Sequence, residues 1–153
     1  MPIDVIKYNS NMKAEWDAFV ETSKNGTFLF MRNYMEYHSD RFTDHSLMFY
    51  CNNRLSAVLP ANIRESEKTL VSHGGLTYGG FVMHPDTKTS EIIEITEELK
   101  KYMQKSGIKH LIYKPVPHIY SRIPSEEPLY ALFHAGAKLS ARSISTTIDN
   151  RER

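Results

Sequence analysis

The residues with the most chemical promise gather around SHGGLTYGG, positions 72 to 80, where four of the seven glycines fall. The bare backbone at Tyr78, Gly79 and Gly80 offers a ligand close approach. His73 stands beside it; an unperturbed imidazole titrates near neutrality and would serve as general base toward an acceptor amine. The same histidine reads more simply as a strand residue with a satisfied hydrogen bond. A phosphate loop requires backbone N–H groups that converge with the start of a helix. Here the segment FVMHPDTKTS separates Gly80 from the next helical pattern, and neither GxGxxG nor GxxxxGK[ST] occurs. The glycines are therefore read first as sheet geometry, allowing bulges or close backbone approach, and second as ligand contacts.

Other groups carry weaker signals. Tyr113 and Lys114 lie at the end of an apolar segment and before two prolines, where open sheets bind ligands, and Lys114 would meet a phosphate or carboxylate. Phe28, Phe30, Tyr34 and Tyr37 would line an acceptor groove, with Arg32 as a carboxylate clamp; as core aromatics they need no further role. The seven histidines show no i, i+4 pair and no cysteine cluster, so no metal site is expected. Cys51 reads as a buried structural thiol. No G-x-S-x-G elbow marks a serine triad.

Composition limits the partners. Basic and acidic residues nearly cancel to a formal charge of +1, without a basic run, which argues against a DNA or RNA surface. The apolar stretches are too short to enter and span a membrane. MPIDVIKYNS lacks the pattern of a signal peptide, and a single cysteine excludes an internal disulfide. The expected location is cytoplasmic.

The elements that would position these groups follow from periodicity. Residues 3 to 8 read as a strand. Met12, Trp16, Phe19 and Val20 recur at helical spacing, with Ser10 or Asn11 as cap and Asn25-Gly26 as a left-handed stop. A second helix is expected over about 30 to 40, with Phe30, Tyr34 and Tyr37 on one face and Arg32 pointing elsewhere. Period-two segments on either side of Asn52-Asn53 predict a tight hairpin, and Pro60 predicts the end of regular pairing. TLVSH and GFVM read as strands around the glycine stretch. Residues 88 to 106 form the clearest helix, capped by Thr89 or Ser90 and stopped at Gly107. IKHLIYKPV reads as a buried strand and PVPHIYSRIP as a proline-bounded connection with one helical turn. Ser125 would cap a further helix ending before Gly136, and residues 137 to 148 read as a final strand.

This element order resembles that of GNAT-type acyltransferases. HGGLTYGGFV is similar to the YGG strand of FemABX-like proteins, which are double-GNAT relatives that transfer amino acids or acyl groups, some in peptidoglycan bridge formation. NGTFLFMRNYMEYH resembles their early segment, in which a Phe-Leu pair precedes the second helix. The resemblance covers nearly the whole chain. It implies an α/β (more strictly α+β) fold, one GNAT-like domain over residues 1–153 with a mixed, mainly antiparallel sheet flanked by helices. It also implies one half of a two-domain protein, similar to the first domain. It implies transfer, or help in transfer, of an acyl or aminoacyl group to a small-molecule or peptide amine. The donor would be acetyl-CoA or another acyl-CoA, with aminoacyl-tRNA as the alternative, and the partner a second GNAT domain or a homodimer. The chain departs from the family at one place. The Q/R-x-x-G-x-G/A loop that binds the coenzyme A pyrophosphate is replaced by HPDTKTS. That departure supports the other reading, a non-catalytic binding or assembly domain that docks a peptide, a cell-wall precursor or a second acyltransferase domain.

Overall fold

A computed structural model describes residues 1–149. Strand β1 (Ile3–Lys7) leads through a short turn into helix α1 (Lys13–Thr22), which buries Trp16, Phe19 and Val20 as their spacing predicts. Its start differs from expectation: α1 follows Met12 with no side-chain cap, and Asn9 instead accepts the Asn11 N–H, at 3.0 Å, to cap the short turn before it. Helix α2 is only Arg32–Glu36, far shorter than the expected 30 to 40.

Strands β2 (Thr43–Asp44), β3 (Leu47–Cys51), β4 (Arg54–Leu59) and β5 (Asn62–Arg64) come next. Asn52 and Asn53 adopt φ of 49° and 64°, the left-handed pair that a two-residue hairpin requires between β3 and β4. Pro60 and Ala61 separate β4 from β5 as His45 and Ser46 separate β2 from β3, so the paired strands break at the same level. Strands β6 (Thr69–Val71) and β7 (Val82–Met83) flank the glycine stretch. Helix α3 (Thr89–Lys105), strand β8 (His110–Ile112) and helix α4 (Glu127–His134) complete the order.

One sheet has the order β1-β3-β4-β7 and the other β2-β5-β6-β8. All pairings between strands are antiparallel except β6 with β8, which α3 makes possible by crossing back over the sheet. Alternate residues of β3 face opposite layers: Leu47 and Phe49 pack toward Ile92, Ile95 and Leu99 of α3, while Met48 packs toward Trp16 and Val20 of α1. Covering on both faces is why β3 reads LMFYC rather than as a strict polar alternation.

Several boundaries correct the sequence reading. No side chain caps α3, whose N-cap is Lys88, and Ser125 does not cap α4, which starts after Glu126. Strand β8 is an edge with His110 and Ile112 exposed, not a buried strand. Residues 137 to 148 form no strand, because nothing among the described residues pairs with them.

Candidate functional site

The glycine stretch is built by close backbone packing. Strand β6 pairs with β8, and the pairing continues past both elements. Ser72 N–H donates to Ile112 O (3.0 Å), and Gly79 N–H to Lys114 O (2.7 Å). Residues 73–78 leave this line as a loop, and Gly79 returns beside Ser72. A Cβ on Gly79 would lie 2.7 Å from the carbonyl carbon of Ser72 and closer still to its oxygen. Gly80 adopts φ +78°, and a Cβ there would meet the Tyr113 ring at 2.5 Å. Phe42 packs over Gly74 and Gly75. Gly79, against the Ser72 backbone, and Gly80, at positive φ, have no room for a side chain, whereas Gly74 and Gly75 face only the Phe42 ring.

Side chains of the loop are held in place. His73 is buried, its Nδ1 accepts the Gly75 N–H at 3.1 Å, and burial pushes its pKa down to about 4. A neutral, enclosed imidazole at that pKa is a structural acceptor and a poor match to proton transfer from an amine near neutrality. Lys114 Nζ donates to Leu76 O at 2.7 Å, tethering the loop; burial, then Arg64, hold it below the usual lysine range. Tyr78 stacks on Tyr120 with ring centroids 5.4 Å apart and donates to Thr27 Oγ1 at 3.2 Å.

Arg32 and its neighbours reverse the expected faces. Arg32 is 2 % exposed, whereas Tyr34 and Tyr37 are 42 % and 79 % exposed. The guanidinium lies 3.7 Å from the Tyr8 ring centroid and 5.1 Å from that of Trp16, and pairs with Asp44 at 3.1 Å and Glu36 at 3.5 Å. It has no free fork for a substrate carboxylate. A buried cation persists only when paired, and the two aromatic faces and two carboxylates supply that here. Of the expected aromatic face only Phe30 is buried; Tyr34 lies on the surface, edge to face with Phe28 at 5.4 Å.

Beyond Gly79 and Pro115 the parallel strands part, and a cleft of about 300 Å³ opens between Phe81, Tyr113, Val116 and the start of α4. Strand β7 ends its sheet here, so Phe81 and Met83 point their backbone groups away from β4. Every one of those groups is taken. Phe81 N–H donates to Tyr113 Oη (2.7 Å), and Phe81 O accepts from Asn25 Nδ2 (2.8 Å). Met83 N–H donates to Asn25 Oδ1 (2.9 Å), and Met83 O accepts from Lys24 N–H (3.0 Å). Asn25 thus takes the place of a strand along β7. Lys24 anchors it: its Nζ donates to Thr87 O (3.0 Å) and pairs with Glu127 at 2.6 Å. Ser125 Oγ and the second oxygen of Glu127 are buried nearby without a partner among the described residues.

Sequence reasoning missed Lys24 and Asn25. Asn25-Gly26 reads as a helix stop, but neither residue has positive φ, and Ser23 already ends α1 in extended conformation. The one available signal was a lysine and an asparagine beside a helix end with no apolar neighbour to justify burial.

Along this edge the Phe81 and Met83 backbone groups are held by Asn25, Lys24 and Tyr113 and are not free for a ligand. The approach to α3 carries Asp86, Thr87 and Lys88 where a phosphate loop needs glycine, with Thr87 buried and bonded to Ser56 O at 2.9 Å. Among the described residues no group of three or more His, Cys, Asp or Glu is placed to hold a metal, and no helix is long and apolar enough to cross a membrane.

No protein-family profile and no curated protein matches the chain. Solved structures do. A ribosomal-protein-alanine N-acetyltransferase from Brucella melitensis biovar Abortus 2308 aligns with TM-score 0.58 at 12 % identity, covering 97 % of this chain and 100 % of that one. The aminoglycoside acetyltransferase AAC(6')-Iy, solved with a bisubstrate analogue of coenzyme A, aligns with TM-score 0.59 at 11 % identity, covering 97 % and 99 %. AAC(6')-Ih from Acinetobacter baumannii aligns with TM-score 0.52 at 12 % identity, covering 97 % and 99 %. Helices on both faces of a mainly antiparallel sheet, one parallel pair that splays into a cleft, and these neighbours agree: the chain has the GNAT acetyltransferase fold.

Proposed function

We propose that this chain is an acyltransferase-family domain of the FemABX-like kind that helps transfer an acyl or aminoacyl group to an amine by holding the acceptor. The donor is bound elsewhere, on a second GNAT domain. The observation that carries this reading is the occupied edge of β7, where Asn25 satisfies both Phe81 O and Met83 N–H. An acyl-transfer site works by positioning and by free N–H groups aimed at the developing oxyanion. Here the Phe81 and Met83 amides are already bonded, so the chain's own contribution falls on the acceptor side. We assign the acceptor to the exposed rings of Phe28 and Tyr34, which pack edge to face, with Tyr37 and Tyr120 also exposed. Aromatic faces suit an ammonium or the apolar face of a sugar-like amine. The neighbours include an aminoglycoside acetyltransferase solved with sisomicin, which makes a polyamine of that class a sensible first probe.

The test is a pair of thermal shifts on the purified chain, one with acetyl-CoA and one with sisomicin or a lysine-containing peptide. A ligand at about 100 times its Kd adds roughly 2.7 kcal/mol to the folded state. The expected result is an upward shift with the amine and none with acetyl-CoA. A clear shift with acetyl-CoA alone would refute the closed edge. No shift with any amine would transfer the assignment to a non-catalytic assembly domain.

A further inference from the structure

The chain between β8 and α4, residues 115–126, is a strap that no buried side chain anchors. None of its residues is buried, and Ile119, Tyr120 and Ile123 are exposed. The hydrogen bonds between its middle and the rest of the described fold come from Arg122. The Arg122 N–H donates to Lys24 O at 2.8 Å, and its guanidinium donates to Glu21 O and, at 3.3 Å, to Ser23 O. One ring contact adds to them, the stack of Tyr120 on Tyr78. The surface on which Arg122 docks is built differently. Ser23, Lys24 and Asn25 are buried, and the last two are bonded to β7 at Met83 O, Met83 N–H and Phe81 O. Lys24 thus lies between β7 and Arg122 like a strand one residue long.

We propose that this strap is a gate: it swings off residues 21–24 while the rest of the fold stays intact, and so controls entry to the cleft of about 300 Å³. Its Pro115, Val116, His118 and Ser125 share the lining of that cleft with Phe81 and Tyr113. Segments with few buried apolar contacts open at a lower free energy than the core, and the strap has none. Pro115, Pro117 and Pro124 fix φ along it, so it moves as a piece rather than by fraying. The closed state also carries a cost at the far end of the strap. Ser125 Oγ and Glu127 Oε2 are buried there with no partner among the described residues. A buried polar group without a partner is destabilising, and opening returns these two to water. Arg122 is the latch that holds the closed state against that cost. This inference rests on the geometry of the strap and does not depend on the proposed acyl-transfer role.

Hydrogen exchange of single amides in the full chain, followed by NMR in increasing low urea, tests it. The Phe81 N–H is bonded to Tyr113 Oη inside the cleft, and the Arg122 N–H is bonded to Lys24 O. Both should exchange through one local opening that urea barely changes, although Phe81 is 1 % exposed. The Met83 N–H, held by Asn25, should exchange only by global unfolding, with protection that falls steeply in urea. Arg122→Gln removes the guanidinium from an exposed position. It should speed exchange at Phe81 and at residue 122 about tenfold, the effect of losing one hydrogen bond from a charged donor, and leave Met83 exchange and Tm unchanged. The inference fails if Phe81 or Arg122 exchanges only by global unfolding, because the strap is then a fixed wall. It fails equally if Arg122→Gln changes no rate, or if it lowers Tm and speeds Met83 as much as Phe81.

Discussion

Replacing Gly79 by Ala adds one carbon where the backbone of Ser72 already stands. The new Cβ would lie 2.7 Å from the Ser72 carbonyl carbon, against about 3.5–4.0 Å for an unstrained carbon pair. The two segments must separate by roughly 1 Å, which stretches the 2.7 Å bond from Gly79 N–H to Lys114 O beyond hydrogen-bonding range. A buried donor left unpaired costs about 1–3 kcal/mol, and overpacking adds about 1–3. The total is about 3 kcal/mol, which for a domain near this size lowers Tm by about 6–12 °C. Gly107 provides the control, since it has φ +69° and nothing within 4 Å of an added Cβ. Gly107→Ala meets backbone strain and no clash, at about 1 kcal/mol. Urea unfolding of both variants reads the difference. If Gly79→Ala unfolds no more easily than Gly107→Ala, the glycine stretch is not governed by close backbone packing and a ligand role regains priority.

Three further outcomes follow from buried groups. His73 has a folded pKa of about 4 against an ordinary 6.5, so between these values the unfolded chain binds the extra proton. Stability should be flat above the window and fall by about 3 kcal/mol as pH drops through it; His73→Asn, which keeps an acceptor for Gly75 N–H, should remove that part of the profile in denaturant titrations. Arg32→Met leaves Asp44 and Glu36 without their cation and should cost about 3 kcal/mol in the same assay; Arg32→Lys should rescue little, because the planar group stacked on Tyr8 is lost. Burial pushes the Cys51 thiol up to about 11, so a disulfide reagent at pH 8 should react slowly with the folded protein and at once after denaturation; rapid labelling without denaturant would contradict the burial of β3.

What local chemistry decides was legible in the residues. Asn52-Asn53 makes its hairpin because its backbone tolerates positive φ, and the stripe of Ile92, Ile95 and Leu99 makes its helix because period and length leave no other structure. The glycines at 74, 75, 79 and 80 read as sheet geometry; Gly79 meets the Ser72 backbone and Gly80 needs its positive φ, whereas Gly74 and Gly75 lie in a loop under Phe42. The site is another matter. Asn25 looks like a helix stop, and only β7, distant in sequence, turns its amide into a substitute strand. Arg32 and the tyrosines exchange faces because Tyr8, Trp16, Asp44 and Glu36 together repay the burial of a cation that periodicity assigns to solvent. Residues 137–148 have the composition of a strand, but a strand requires a partner, and composition does not supply one. Propensity and period act over a few residues and can be read in the chain. Hydrogen-bond partners across the fold are chosen by topology, so only the tertiary structure decides which edge is open and which is filled.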